Sequence, residues 1–278
     1  MNILEFTFLI AIGAFAAGFL GSLTGLGGGV VIVPLLALVF GVDIRYAIGA
    51  SLVSVIATSS GAAAAYVKEG FSNVRIGMFL EMATTFGALA GAYLAGRVST
   101  GVIAVIFGLV LIYSAWLSKR PEPRQQEEDC ADPLATRLHM DASYPAAAGQ
   151  IDYHVHAIPG GFSVMFIAGA LSGLLGIGSG AVKVLAMDQI MRIPFKVSTT
   201  TSNFMIGVTA AASAGIYLNR GYIDPGLSMP VMLGVLAGSL VGARVLVNTQ
   251  VRSLRTVFAL VILVMGIEMI YSGFTGRL

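Results

Sequence analysis

The chain has 278 residues, 56% of them hydrophobic and only 11% charged, with a formal net charge of +2 and one cysteine. Soluble domains carry roughly 25% charged residues, so this chain has too few to hydrate a water-facing surface. A soluble globular protein, a disulfide-stapled scaffold and a nucleic-acid binder are excluded, which leaves an integral membrane protein resident in a lipid bilayer.

Crossing roughly 30 Å of hydrocarbon takes about 20 helical residues, because every backbone polar group must be paired within the segment. In chain order the first half offers Glu5–Thr24, Gly29–Phe40, Ala47–Tyr66, Ile76–Gly96 and Thr100–Leu117. The second half offers Phe162–Leu175, Ala181–Met191, Ser198–Leu218, Leu227–Val247 and Val251–Ser272. The second segment of each half is too short to span alone, and a glycine cluster joins it to the first. The apolar runs are continuous rather than alternating, which favours helices over a strand barrel. The first segment has no basic residue ahead of it and does not read as a cleaved signal peptide.

Between the halves, Ser118–Gly160 holds 11 of the charged residues and no helical apolar stripe. This divides the chain into a first transmembrane repeat (1–118), a partly irregular linker (119–160) and a second repeat (161–278). Asp152–His156 has the alternation of a short strand with His154 and His156 on one face. No Cys or carboxylate set completes a metal site there, so surface histidines are the reading, with no metal and no cofactor expected.

A shift of 151 residues superposes the two halves without a gap over about 80 positions. Gly18, Gly25, Gly27 and Gly29 fall on Gly169, Gly176, Gly178 and Gly180; Ser51 falls on Ser202, Thr58 on Thr209 and Tyr66 on Tyr217. Five segments per half make the second copy inverted, whereas four would make it parallel. With five, Lys68, Arg75, Lys119, Arg120, Arg124, Arg137, Arg192, Lys196, Arg252 and Arg255 share one side, against Arg45, Arg97, Arg220 and Arg277 on the other. Basic residues stay on the cytoplasmic side. The expectation is an all-α membrane protein of two inverted repeats, each about four full transmembrane helices plus a short broken or half helix after a glycine-rich loop. The linker is then cytoplasmic and both termini lie outside; a re-entrant hairpin would give the same parity.

The glycine loops, Gly25–Gly29 and Gly176–Gly180, are the candidate ligand site. Irregular backbone at membrane depth is tolerated where it is buried in protein or lines a polar cavity. Each loop leads into a short helix whose first N–H groups suit an anion, and broken helices at a repeat interface are where inverted-repeat transporters bind substrate. Close helix packing is the alternative use of small residues, and it fits Gly87-x-x-x-Gly91 and Gly238-x-x-x-Gly242. Such faces serve internal packing and a homodimer equally.

Lys183 follows the second loop, where its repeat partner Ile32 is apolar. A lysine in hydrocarbon is functional by default: it attracts an anion, pairs with Asp188 or snorkels to the surface. Glu81 and Glu268 are the deeply placed carboxyls, able to relay a proton or to satisfy a neighbouring hydroxyl. Ser51, Ser54, Thr58, Ser59 and Ser60, and Ser198–Asn203 in the copy, supply neutral donors from which an anion can be released. Helix capping and bonding back to the preceding turn are the competing uses. The expected binding set is Thr24, Gly25, Gly27, Gly28, Gly29, Ser51, Gly176, Gly178, Ser179, Gly180, Lys183, Ser202 and Asn203.

Gly18–Pro34 (GFLGSLTGLGGGVVIVP), Gly169–Val184 (GALSGLLGIGSGAVKV), Lys196–Asn203 (KVSTTTSN) and Tyr217–Gly221 (YLNRG) together resemble the sulfite exporter TauE/SafE family of membrane transporters. The resemblance covers nearly the whole chain, the linker least. It implies transport of sulfite, thiosulfate or an organosulfonate across a cytoplasmic membrane. Ser179 stands where the family usually has a third glycine, and Leu185 where it usually has a proline. Two other functions stay in view: a non-transporting membrane subunit that organises partners, and an intramembrane enzyme. The enzyme has little behind it, since no histidine lies in a span and Lys183 is the lone embedded base.

Overall fold

The computed structural model describes residues 3–24, 29–68, 72–117, 132–138, 140–146, 149–246 and 251–277. The first half forms α1 (Ile3–Thr24), α2 (Gly29–Pro34), α3 (Ile44–Lys68), α4 (Val74–Ala95) and α5 (Thr100–Leu117). The linker contributes α6 (Pro133–Arg137), β1 (Ala142–Ala146) and β2 (Gly149–Tyr153). The second half forms α7 (Ile158–Leu175), α8 (Gly180–Leu185), α9 (Phe195–Asn219), α10 (Pro225–Leu246) and α11 (Val251–Thr275). Among the described residues, Val74–Ala95, Ile158–Leu175 and Pro225–Gly242 are long and apolar enough to cross a membrane, and five shorter apolar helices accompany them.

The short helices α2 and α8 each run on into a π turn, Leu35–Val39 and Ala186–Ile190. These turns occupy equivalent positions under the repeat shift. Pro34 precedes the first and Leu185 the second, so the wider turn forms without the proline. Left-handed residues then end both segments at matching places, Gly41 (φ 63) and Arg192 (φ 55). The same correspondence extends to caps: Asn73 accepts from the Ile76 amide, and Asp224 accepts from the Gly226 and Leu227 amides.

The chain runs back on itself between α1 and α2 and between α7 and α8. Phe40, at the end of the first short segment, stacks edge-on against Phe6 at the start of α1, with ring centroids 5.9 Å apart. Met191, ending the second, lies against Gly161 at the start of α7 and accepts from the His156 amide at 3.1 Å. Both short segments are therefore re-entrant, returning to the side from which the preceding long helix set out.

The halves interleave. Gly87 and Gly91 of α4 press on the carbonyls of Phe166 and Ala170 in α7, and Gly169 and Gly173 press back on Thr84 and Ala88. Gly234 and Gly238 of α10 meet Ala11 and Phe15 of α1 in the same manner. In both pairs the sequence numbers rise together, so the helices run side by side in one direction. α5 and α11 run oppositely, with Gly101 beside Gly273 and Gly108 beside Gly266. Small residues let backbones approach to van der Waals contact, where dispersion and Cα–H···O contacts replace side-chain packing.

At one end of the bundle, Arg45 donates to the Val98 carbonyl and Arg220 to those of Ala92 and Tyr93. The linker hairpin covers the opposite end. Asn73 Nδ2 donates to the Tyr153 hydroxyl at 2.7 Å, and the Val155 amide donates to Asp141. The strand expected over Asp152–His156 stops at Tyr153, because β2 pairs antiparallel with β1 only from Gly149 to Tyr153. His154 and His156 lie beyond it. His154 Nδ1 sits 3.4 Å from Asp141 Oδ1, and among the described residues no group of three or more His, Cys, Asp or Glu is placed to hold a metal ion.

Candidate functional site

Ser51 lies where the second glycine turn meets the start of α2. Its hydroxyl lies 2.8 Å from the Gly176 carbonyl and 3.4 Å from that of Gly29, so a residue of α3 joins the second turn to the start of α2. A β-carbon at Gly29 would stand 2.8 Å from Val55 Cγ2 and 2.9 Å from Ser51 Oγ, so only glycine fits there. The copy repeats the contact: Ser202 of α9 donates to the Gly180 carbonyl at 3.3 Å. Asn203, half-buried, follows it. Thr24 closes α1, whereas Gly25, Gly27 and Gly28 lie outside the described residues.

The second turn is left-handed at Gly176 (φ 68), Gly178 (φ 71) and Ser179 (φ 44). Glycine accepts this backbone freely; a serine there costs roughly 1–2 kcal/mol. Ser179 is 3% exposed, and its hydroxyl has no hydrogen-bond partner. A strained, buried and unpaired hydroxyl is costly to keep.

Lys183 is fully buried. Its Nζ donates to Thr209 Oγ1 of α9 at 2.5 Å, and that hydroxyl lies 2.7 Å from Oε1 of Glu81 on α4. Thr85 also donates to Oε1, at 3.2 Å, while Glu81 Oε2 is buried with no partner. A hydroxyl thus bridges a buried cation and a buried anion drawn from opposite halves of the chain. Removing either charge alone would strand the other where desolvation costs several kcal/mol. Of the three uses open to Lys183, pairing describes this state, with Glu81 rather than Asp188 as its partner. Glu268 has no part in the cluster: it lies on the exposed side of α11.

The bridging hydroxyls were not among the expected site residues. Repeat matching aligns Thr209 with Thr58, yet Thr58 only bonds back to Ser54 in its own helix. Ser54 and Ser60 do the same, to Ala50 and Ile56. Ser198 donates to the Ile193 carbonyl, a helix-end role, and Thr201 accepts from the Asn73 amide. Ile32, the apolar repeat partner of Lys183, was the available signal that the repeat does not duplicate this cluster.

The family described as sulfite exporter TauE/SafE matches residues 9–269. The chain is 28% identical over 277 residues to the probable membrane transporter protein YunE of Bacillus subtilis (strain 168), covering 97% of this chain and 99% of that protein. It is 23% identical over 287 residues to the probable membrane transporter protein MJ0441 of Methanocaldococcus jannaschii, covering 96% and 98%. No solved structure matches significantly. These relatives are named as transporters rather than enzymes. A helical, multi-pass chain, matched by this family along almost its whole length, belongs to the sulfite exporter TauE/SafE family of membrane transporters.

Proposed function

We propose that the chain exports sulfite or a related small sulfur-containing anion, a thiosulfate or an organosulfonate, across the cytoplasmic membrane by alternating access. The observation that carries this reading is the contact of Ser51 with both the second glycine turn and the start of α2, together with a buried lysine and an unpaired buried hydroxyl in the second half. The anion binds between the turns, against backbone N–H groups of Gly25–Gly29 and Gly176–Gly180, with Ser179, Ser202, Asn203 and Lys183 around it. Thr24 and Ser51 line the other half. Neutral donors bind an anion firmly enough to select it and weakly enough to release it.

The inverted arrangement is supported by direction. α1 starts at the end of the bundle where Phe6 meets Phe40, whereas its repeat counterpart α7 starts at the opposite end, beside Met191 and the linker hairpin. The linker end is cytoplasmic in this reading, and both termini are outside. Because α1 packs on α10 and α4 on α7, the rocking bodies combine helices of both repeats instead of following the halves of the sequence. An inside-negative potential expels a net negative charge with about 2.3 kcal/mol per charge per 100 mV. Replacing Lys183 with Met tests the site: anion binding to the purified protein weakens at least tenfold, and unchanged affinity would remove Lys183 from it.

A further inference from the structure

The anion-transport reading leaves Glu81 without a task, and the geometry around it supplies one. We propose that Glu81 is the internal counter-anion of Lys183, holding the lysine while the site is empty and taking up a proton when the transported anion binds, so that anion and proton bind one to one. This inference rests on the anion-transport reading.

Three observations lead there. First, the Thr209 hydroxyl links the Lys183 ammonium to the Glu81 carboxylate, and a cation and an anion joined in this way form a neutral unit. An anion added beside a neutral pair in a low-dielectric interior leaves one uncompensated negative charge, and a proton on the carboxylate removes it. Second, Thr209 has one hydrogen to give. It lies 2.7 Å from Glu81 Oε1 and 2.9 Å from the Met205 carbonyl, so it can turn to Met205 when the carboxylate is neutralised, without being stranded. Third, Glu81 Oε2 and Ser179 Oγ are among the buried polar atoms without partners. The Lys183 amide donates to the Ser179 carbonyl at 3.1 Å, so the residue with the free hydroxyl opens the helical turn that carries the lysine. A proton placed on Oε2 needs an acceptor, and an anion held by Lys183 and Ser179 provides it.

The elements around α4 and α8 carry few other ionisable groups. α7 contributes none. α9 contributes Lys196 in its first turn and Tyr217 near its end, where the phenol donates to the Gly173 and Leu174 carbonyls. Asp188 is half-buried in the π turn beyond Lys183, and Arg75 belongs to the first turn of α4.

The linkage also fixes the charge carried. A sulfonate crosses with no net charge and ignores the potential, whereas a dianion crosses with one negative charge and responds to it. An alkaline interior opposes the exit of both, so a sulfonate leaves only down its own concentration gradient, whereas the potential also pushes the dianion out.

Calorimetric titration of the purified protein with methanesulfonate and with thiosulfate, in two buffers of different ionisation enthalpy, reads the linkage. Neither anion titrates near neutrality, so protons taken up come to the protein. The expected result is about one proton per anion bound, with affinity falling about tenfold for each unit rise in pH. Glu81→Gln abolishes the proton count and flattens the pH dependence, while Glu81→Asp keeps both. Anion binding without proton uptake in the wild type overturns this inference and leaves the anion site standing. Failure of every anion to bind overturns the transport reading as well.

Discussion

Replacing Thr209 with valine removes the hydroxyl between Lys183 and Glu81 while leaving the shape of the side chain nearly unchanged. No cavity forms, so the cost is polar. The hydroxyl accepts from the lysine at 2.5 Å and lies 2.7 Å from the carboxylate. Hydrogen bonds to charged groups contribute about 1.5–3 kcal/mol each. Glu81 keeps Thr85 at 3.2 Å, so the loss falls mainly on the lysine, and the expected destabilisation is about 3 kcal/mol. On the scale of soluble domains of similar size that is a fall of about 6–12 °C in the unfolding midpoint. Thr209→Ser, which retains the hydroxyl, should stay close to wild type. The double variant Lys183→Met with Glu81→Gln removes both charges together and should cost less than Thr209→Val, because buried ion pairs rarely outperform apolar replacements. Thermal unfolding of the detergent-purified proteins measures all three. A Thr209→Val midpoint within a degree of wild type would refute the bridging role.

Other expectations follow from packing and strain. Gly173→Leu places a side chain on the Ala88 carbonyl and should separate α4 from α7, costing more than about 2 kcal/mol and lowering the yield of folded protein in detergent. Ser179→Gly relieves the left-handed backbone at φ 44, raising stability by about 1 kcal/mol while weakening anion binding; higher stability with undiminished affinity would take Ser179 out of the site. Tyr153 is buried against Asn73, and burial raises its phenol above the ordinary value near 10. The folded chain then keeps a proton that the unfolded chain releases, so the contribution is complete below pH 10 and declines as pH rises beyond it. The wild-type unfolding midpoint should fall more steeply above pH 10 than that of Tyr153→Phe, and parallel curves would exclude this contact.

Helix positions were legible because hydrocarbon imposes one rule on every residue. Thr100–Leu117 coincides with α5, and Gly180–Ile190 begins one residue before the expected short segment. The π turns were not legible, since they shift the hydrogen-bond ladder without changing composition. The strand at Asp152–His156 was overextended because alternation alone does not say where the partner strand ends, and β1 begins at Ala142, opposite Tyr153. Lys183 stood out as a charge in an apolar run, but its partners did not. Glu81 and Thr209 are 128 residues apart, and hydroxyls that bond back to their own helix look the same in sequence as one that bridges two charges. Glu268 shows the converse: placed within a long apolar segment, it lies on the exposed side of its helix, because depth in the chain does not fix the direction a residue faces.

Sulfite efflux from proteoliposomes containing the purified protein, with and without an imposed inside-negative potential, addresses the transport proposal most directly. The expected outcome is efflux that the potential accelerates, that thiosulfate or a sulfonate competes with, and that Lys183→Met abolishes. Retention of sulfite, thiosulfate and sulfonates alike, whatever the potential, would contradict it and point to a membrane subunit that organises partners.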